Sequence, residues 1–147
     1  MRLLLLALLA LGCADDAPAS DVAHRSLTVD HAFARPAPSG GTSALYLDLV
    51  NATFEADTLV AIRSDAAARV ALHRTVDRGD GMTGMEPVGA VPVPAGATLE
   101  LAPGGLHAML MDLTADLAEG DSLDVTVELA VRGSLSMRVP IRLDGGR

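Results

Sequence analysis

The sequence is poor in the residues on which many protein functions depend. It has no tryptophan, no lysine and a single cysteine, Cys13, in 147 residues. One thiol excludes an internal disulfide, a thiolate-cluster zinc site and an iron–sulfur centre. The three aromatic residues are Phe33, Tyr46 and Phe54. Because the net charge is −8 and no basic patch carries interleaved aromatic side chains, we do not expect the chain to bind nucleic acid.

The sequence patterns of catalysis are lacking as well. The chain has no His-Glu-x-x-His motif, no glycine-rich phosphate loop that opens a helix, and no Ser, His and Asp at the spacing of a catalytic triad. Its carboxylates are numerous but scattered, so no pair can be assigned to acid and base roles. We therefore expect a protein that is not an enzyme and has no small-molecule substrate.

A short apolar leader begins the chain. Arg2 carries a positive charge, and residues 3–11 contain only Leu and Ala, a run too short to span a bilayer as a helix. The run ends at Gly12 and Cys13, which resembles a bacterial lipoprotein signal, in which the cysteine becomes the lipidated first residue. Ala10 departs from that pattern, which usually has Leu there. The alternative is an ordinary secretory signal that is cut nearby and leaves a free thiol.

Either interpretation of the leader predicts export. We expect a lipoprotein-type signal peptide over residues 1–12, a tether over 13–26 that follows lipidated Cys13, and one folded domain over 27–147. The protein would then be periplasmic and tethered to a membrane. Ala14, rather than Asp, follows the cysteine, and by resemblance to known sorting patterns this favours the outer membrane.

The rest of the chain is typical of an all-β domain. Runs with period-two alternation or β-branched residues are separated by turn signals rich in Gly, Pro and Asp. One segment, residues 65–69, is compatible with a helical turn. The pattern predicts a Greek-key β-sandwich or barrel of about nine short antiparallel strands. The predicted strands are 27–33, 43–51, 57–64, 69–76, 81–88, 98–101, 106–113, 122–131 and 134–143.

Histidine and methionine cluster in the second half of the chain. His107 and Met109 are two residues apart in one predicted strand, so both side chains project from the same face, roughly 7 Å apart. Met111 shares that face. His73 lies in an earlier strand, and a glycine-rich turn after it leads to Met82 and Met85, which predicts a hairpin that returns beside His73.

Such a donor set has a definite metal preference. Thioether sulfur is soft and uncharged and imidazole is borderline, so two of each suit the soft d¹⁰ ion Cu(I). A blue-copper site is excluded, because it needs a cysteine thiolate and Cys13 lies in the leader. The alternative is that the methionines fill the core and the histidines are surface or hydrogen-bonded residues.

The spacing of these residues resembles the signature of the periplasmic copper chaperones called PCu(A)C. In that signature eleven residues separate a His from a Met, twenty-one separate the Met from a second His, and His-x-Met follows. Here residues 74–84 separate His73 from Met85, and residues 86–106 separate Met85 from His107, which Met109 follows after one residue. The likeness extends over roughly residues 27–143. The segments that carry it are 69–73, 81–88, 94–96, 103–113 and 117–121.

The resemblance implies a cupredoxin-like β-sandwich that holds one Cu(I) per chain through His73, Met85, His107 and Met109. It also implies delivery of copper to the dinuclear centre of cytochrome oxidase or to a Sco-type assembly partner. Arg74 departs from the many members with Met directly after the first His. Residues 139–147 contain no His or Met, unlike the Cu(II)-binding tails of some members, so we predict a single site.

Two other functions stay open at this stage. A tethered periplasmic Cu(I) buffer for copper tolerance would use the same four ligands, and a metal-free β-sandwich interaction module would use none. Met82 and Met111 lie close to the predicted ligands in sequence. Either could serve as a spare ligand during copper transfer, and plain packing is the alternative for both.

Overall fold

The computed structural model describes residues 26–144. In it, the segments that alternate apolar and polar residues form the strands of two sheets. The leader, Cys13 and the tether up to residue 25 lie outside the described residues. The described residues include no candidate for a membrane-spanning helix. Ten strands form: β1 Leu27–Ala34, β2 Thr42–Asn51, β3 Asp57–Arg63, β4 Ala67–Asp77, β5 Thr83–Pro87, β6 Val91–Val93, β7 Thr98–Leu101, β8 Leu106–Leu113, β9 Ser122–Leu129 and β10 Gly133–Pro140.

The strands pair into two antiparallel sheets. The larger sheet has the order β1-β2-β8-β4-β5, and β7 joins it beside the second half of β2. The smaller sheet has the order β10-β9-β3-β6. Neighbours in space are often distant in sequence, as in β2 with β8 and β8 with β4, so neither sheet is a simple meander. The predicted all-β, cupredoxin-like sandwich is therefore confirmed.

Two local predictions were wrong. A tenth strand, β6, runs through Val91–Val93, a segment whose prolines indicated only a turn. Pro92 is tolerated there because β6 lies at the edge of the smaller sheet, where a missing amide hydrogen need not break the sheet. The proposed helical turn at 65–69 is a short turn that gives way to strand β4 at Ala67.

The core lies between the sheets and is almost entirely aliphatic. On β2 the side chains of Leu45, Leu47 and Leu49 are completely buried, as their alternation predicted. On β8 the core-facing residues are Leu106, Ala108 and Leu110, which are also buried. The residues that alternate with them, at positions 107, 109 and 111, consequently project from the other side of the larger sheet.

A buried carboxylate holds one end of the smaller sheet. The Asp57 side chain is fully buried and accepts hydrogen bonds from the backbone amides of Thr58 (2.7 Å), Val131 (3.0 Å) and Arg132 (3.2 Å). The Arg132 guanidinium adds an ion pair at 3.2 Å. Burial by itself raises the pKa of Asp57, but the hydrogen bonds from Thr58, Val131 and Arg132 outweigh it and hold the pKa below its usual range.

The first and last strands are tied together at the open edge of the sandwich. Ala34 forms an isolated bridge with Ile141, and the Arg142 amide donates to the Ala34 carbonyl at 2.9 Å. The Arg142 guanidinium lies 5.3 Å from the centre of the Phe33 ring. These contacts join residues from opposite ends of the described chain.

Candidate metal centre

Three neighbouring strands bring the predicted ligands to one face of the larger sheet. His73 on β4 lies directly opposite His107 on β8 in the antiparallel register. Residues that face each other across a ladder project to the same side. The two imidazole rings are nearly parallel, with an angle of 27° and centroids 6.3 Å apart. The sequence placed these histidines on separate strands, and the fold makes them direct neighbours.

His107 is held in one orientation by the backbone. Its side chain is among the few polar groups buried in the described residues, with 4% of the residue exposed. Its Nδ1 lies 3.1 Å from the Gly105 carbonyl. A carbonyl oxygen can only accept, so Nδ1 carries a proton, and in the neutral ring Nε2 then offers a lone pair. This is the arrangement that metal-binding histidines commonly show.

His73 carries an unsatisfied polar atom. Its Nδ1 is buried and has no hydrogen-bond partner within the described part of the chain. A buried polar group without a partner costs on the order of 1–3 kcal/mol, so such atoms are rare in native structures. A metal ion bound by this Nδ1 atom would relieve that cost, which fits the expectation of a ligand at this position.

The two predicted thioether ligands flank the histidine pair. Met109 lies opposite Ala71 on β4 and is two residues from His107, so its side chain shares the histidine face. Met85 on β5 lies opposite Thr75, two residues beyond His73, and shares the face in the same way. Met85 is 56% exposed, so this thioether is the ligand candidate most open to solvent.

A shallow depression in the surface contains most of this cluster. Its lining includes Met85, His107 and Met109, together with Tyr46 from β2 and Arg35, which follows β1. His73 lies beside the depression as the ladder neighbour of His107 rather than in its lining. No aspartate or glutamate lines the depression, and the charged side chain in its lining is that of Arg35.

The two remaining methionines have different surroundings. Met82 lies in the turn between β4 and β5, and 62% of it is exposed. Met111 projects from the histidine face, but its sulfur accepts a contact from the Arg69 guanidinium at 3.1 Å. A sulfur already facing a cation is poorly placed to take part in binding a second one.

Harder metal ligands are not grouped in the part of the chain that the structure describes. Residues 26–144 contain no cluster of three or more His, Cys, Asp or Glu side chains suited to a metal ion. The groups that stand beside the two imidazoles are the thioethers of Met85 and Met109. The site therefore presents soft and borderline donors without a formal negative charge.

Sequence reasoning missed three features of the site. The Tyr46 ring lies 6.3 Å from the His107 ring and forms a wall of the depression. The sequence did indicate the position of Tyr46, because Leu45 and Leu47 on either side of it face the core and the residue between them must face the opposite way. The Gly105 carbonyl and the Arg35 side chain gave no comparable signal, since both depend on how loops fold back onto the sheet.

Comparison with known proteins places the chain in a family of putative lipoproteins. The family model described as putative lipoprotein LpqE-like matches residues 27–141. The putative lipoprotein Lxx21020 from Leifsonia xyli subsp. xyli is 35% identical over 135 residues, which cover 89% of this chain and 81% of that protein.

Solved structures share the fold. The copper-bound PCuAC domain from PmoF2 superposes with a TM-score of 0.66 at 19% identity, over 81% of this chain and 94% of that domain. At this identity the likeness concerns the fold alone. The Cu(I) form of DR1885 from Deinococcus radiodurans gives a TM-score of 0.63 at 27% identity, over 84% of this chain and 85% of that one. The resemblance to PCu(A)C proteins is thus confirmed, and the chain belongs to the LpqE-like family of putative lipoproteins.

Proposed function

We propose that this protein is an exported, lipid-anchored copper chaperone that binds one Cu(I) through His73, Met85, His107 and Met109. The observation that carries the proposal is the pairing of His73 with His107 on one sheet face, where one histidine has an orphaned nitrogen and the other a free Nε2. The copper-bound PCuAC domain and Cu(I)-DR1885, which share the fold, support the choice of metal.

The donor set explains why Cu(I) would be preferred. Two neutral imidazoles and two thioethers leave the bound ion with its single positive charge, which a soft d¹⁰ ion tolerates better than a divalent ion that seeks anionic ligands. The ion is cargo rather than a catalyst, so the protein must hold it and also release it. Thioether ligands suit an exported protein because they survive oxidising conditions better than thiolates.

Unequal exposure of the ligands suggests an order of release. Met85 is 56% exposed, whereas 4% of His107 is exposed. An acceptor with two thiolates can therefore displace Met85 first and His107 last, so that copper is never without ligands. We propose the dinuclear copper centre of cytochrome oxidase, or a Sco-type assembly protein, as that acceptor.

The anchor would be Cys13, and the names of the matched family and relative support a lipoprotein. The Ser26 carbonyl accepts from the Ala52 amide at 3.1 Å, so the tether joins the domain beside the end of β2. We propose a periplasmic location with attachment to the outer membrane.

Tyr46 offers a direct test of copper binding at this site. It is the single tyrosine of a chain without tryptophan, so its emission is free of background from other residues of this protein. Since its ring lies 6.3 Å from the ring of His107, we expect Cu(I) to change the emission until one equivalent has been added. Anaerobic fluorescence titration measures this. Tight binding of Cu(I), shown by chelator competition, without any change in Tyr46 emission would place copper elsewhere.

A deletion strain separates delivery from storage. If the protein delivers copper, its loss should lower cytochrome oxidase activity in copper-limited medium, and added copper should restore it. If it is a buffer, loss should instead raise sensitivity to excess copper while oxidase activity stays normal. Oxidase activity and growth inhibition by copper are measured in the same strains. Complementation with a variant that lacks His107 controls for effects unrelated to copper.

A further inference from the structure

Arginines divide into two groups by their partners. Four of the eight arginines in residues 26–144 form ion pairs with carboxylates: Arg63, Arg78, Arg132 and Arg138. The other four, Arg35, Arg69, Arg74 and Arg142, form no ion pair within the described part of the chain. In a protein with a net charge of −8, cations left without carboxylates are unexpected.

Two of these unpaired arginines lie at the candidate site, and a third is connected to it through a row of rings. Arg35 lines the depression together with Met85, His107 and Met109. Arg69 lies opposite Met111 in the β4–β8 ladder and reaches its sulfur, so its charge stands on the same sheet face.

Arg142 is connected to the site through a row of rings. Its guanidinium covers the Phe33 ring at 5.3 Å, the Phe33 ring lies 4.9 Å from the Tyr46 ring, and Tyr46 neighbours His107. We call Arg35, Arg69 and Arg142 the arginine rim.

Carboxylates do not offset the rim at the depression itself. None lines it. On β2 the buried carboxylate of Asp48 is engaged by His31 at 2.9 Å. The lining of the depression therefore carries a cation and no carboxylate on an acidic protein, and a positive charge attracts anionic surfaces.

We propose that the arginine rim is the docking surface for a copper acceptor that presents carboxylates around its copper-binding group. This inference rests on the proposed function, since it concerns the partner that takes copper from the same site. The rim would draw an acidic acceptor to the site and orient it there. Repulsion between the net charge of this chain and an acidic partner would otherwise slow their encounter.

Two Cu(I) chelators with the same chelating core test the rim. Neocuproine is uncharged, and bathocuproine disulfonate carries sulfonate groups. The full chain, purified in a non-ionic detergent and loaded with Cu(I), is mixed with each chelator in a stopped-flow instrument. Absorbance of the Cu(I)–chelator complex then gives the transfer rate at low and high salt. We expect the rate to the sulfonated chelator to fall with salt, while the rate to neocuproine stays constant.

Replacing arginines of the rim with glutamine should slow transfer to a charged chelator without changing the affinity for Cu(I). We expect the double variant Arg35→Gln with Arg69→Gln to slow low-salt transfer to the sulfonated chelator about threefold or more. With Met111→Leu added, so that loss of Arg69 does not free a sulfur beside the site, transfer to neocuproine and the amount of bound Cu(I) should stay unchanged. Arg63→Gln and Arg138→Gln are the matched controls, because each removes an exposed arginine that pairs with a carboxylate on the smaller sheet.

Each outcome bears on one proposal. Equal salt dependence for the two chelators, or equal rates for the rim and control variants, would overturn the docking surface even though copper is bound. Failure of the native chain to bind Cu(I) before any chelator is added would instead overturn the proposed function. A thermal melt of each variant, and the neocuproine rate, show whether the double variant is folded with an intact site.

Discussion

Replacing His107 with alanine should weaken Cu(I) binding by more than about 100-fold. Loss of a residue that merely orients a metal ligand typically costs about 10- to 100-fold in affinity, and a ligand itself should cost more. His107 contributes a nitrogen whose orientation is set in advance by the Gly105 carbonyl. No other histidine of the described residues can replace it. The remaining one, His31, lies on β1, on the side of β2 away from β8, and contacts Asp48. Competition with a coloured Cu(I) chelator measures the affinity.

The methionines provide matched controls for that result. Leucine has nearly the volume of methionine but no sulfur, so the substitution tests donation with little change in packing. Met109→Leu should lose tight binding, whereas Met111→Leu and Met82→Leu should keep the affinity within about threefold, since Met111 is engaged by Arg69 and Met82 lies in a turn. Equal loss for Met109→Leu and Met111→Leu would show that the four-residue assignment is wrong.

Replacing Asp57 with alanine should lower the free energy of unfolding by about 3 kcal/mol. Removal of one partner from a buried ion pair costs about 3–5 kcal/mol, because the remaining charge stays buried and unmatched. Here the loss would also leave the amides of Val131 and Arg132 without an acceptor, although Arg132 keeps contacts with Thr53 and Glu55. Urea unfolding followed by circular dichroism measures the change.

The Asp57 carboxylate should also contribute to the loss of folding stability at acidic pH. Its pKa is lower in the folded state than in the unfolded chain, so its contribution is complete above the unfolded value of about 3.9. It is then lost as the pH falls through the folded value. As the pH falls through that range, the free energy of unfolding of Asp57→Asn should therefore decrease less than that of the native chain.

Asp124→Ala is the control for both experiments. It removes an exposed carboxylate that lies 3.7 Å from Arg138, which is also exposed, so the pair is expected to contribute little. Its stability should stay within about 0.5 kcal/mol of the native value. A loss of less than about 1 kcal/mol in Asp57→Ala would mean that the buried pair does not hold the end of the smaller sheet.

Alternation in the sequence predicted most of the fold because one face of each long strand is buried. Leu45, Leu47 and Leu49 mark the core side of β2, and period-two spacing leaves no other register. Strand β6 escaped prediction because it has only three residues with a proline in the middle. Whether such a segment forms a strand depends on the exposed edge of β3, which is a property of the assembled sheet.

The site was predicted in part for a related reason. Spacing along one strand placed His107 and Met109 on a common face, since that requires only local geometry. The contact between His73 and His107 depends on the pairing of β4 with β8, which are separated by three other strands in sequence. The orphaned nitrogen of His73 and the unpaired state of Arg35 could not be predicted, because each depends on what neighbouring loops and side chains leave uncovered.

The bridge between Ala34 and Ile141 has a consequence for the order in which the domain can form. Strand β1 gains its second neighbour only when the residues after β10 arrive, and β10 is the last strand of the described residues. A truncated or incompletely synthesised chain would leave one edge of β1 open, along with the Phe33 ring that Arg142 covers. Closure between segments so distant in sequence is slow. The domain should therefore mature in one late step, after which all four proposed ligands are available together.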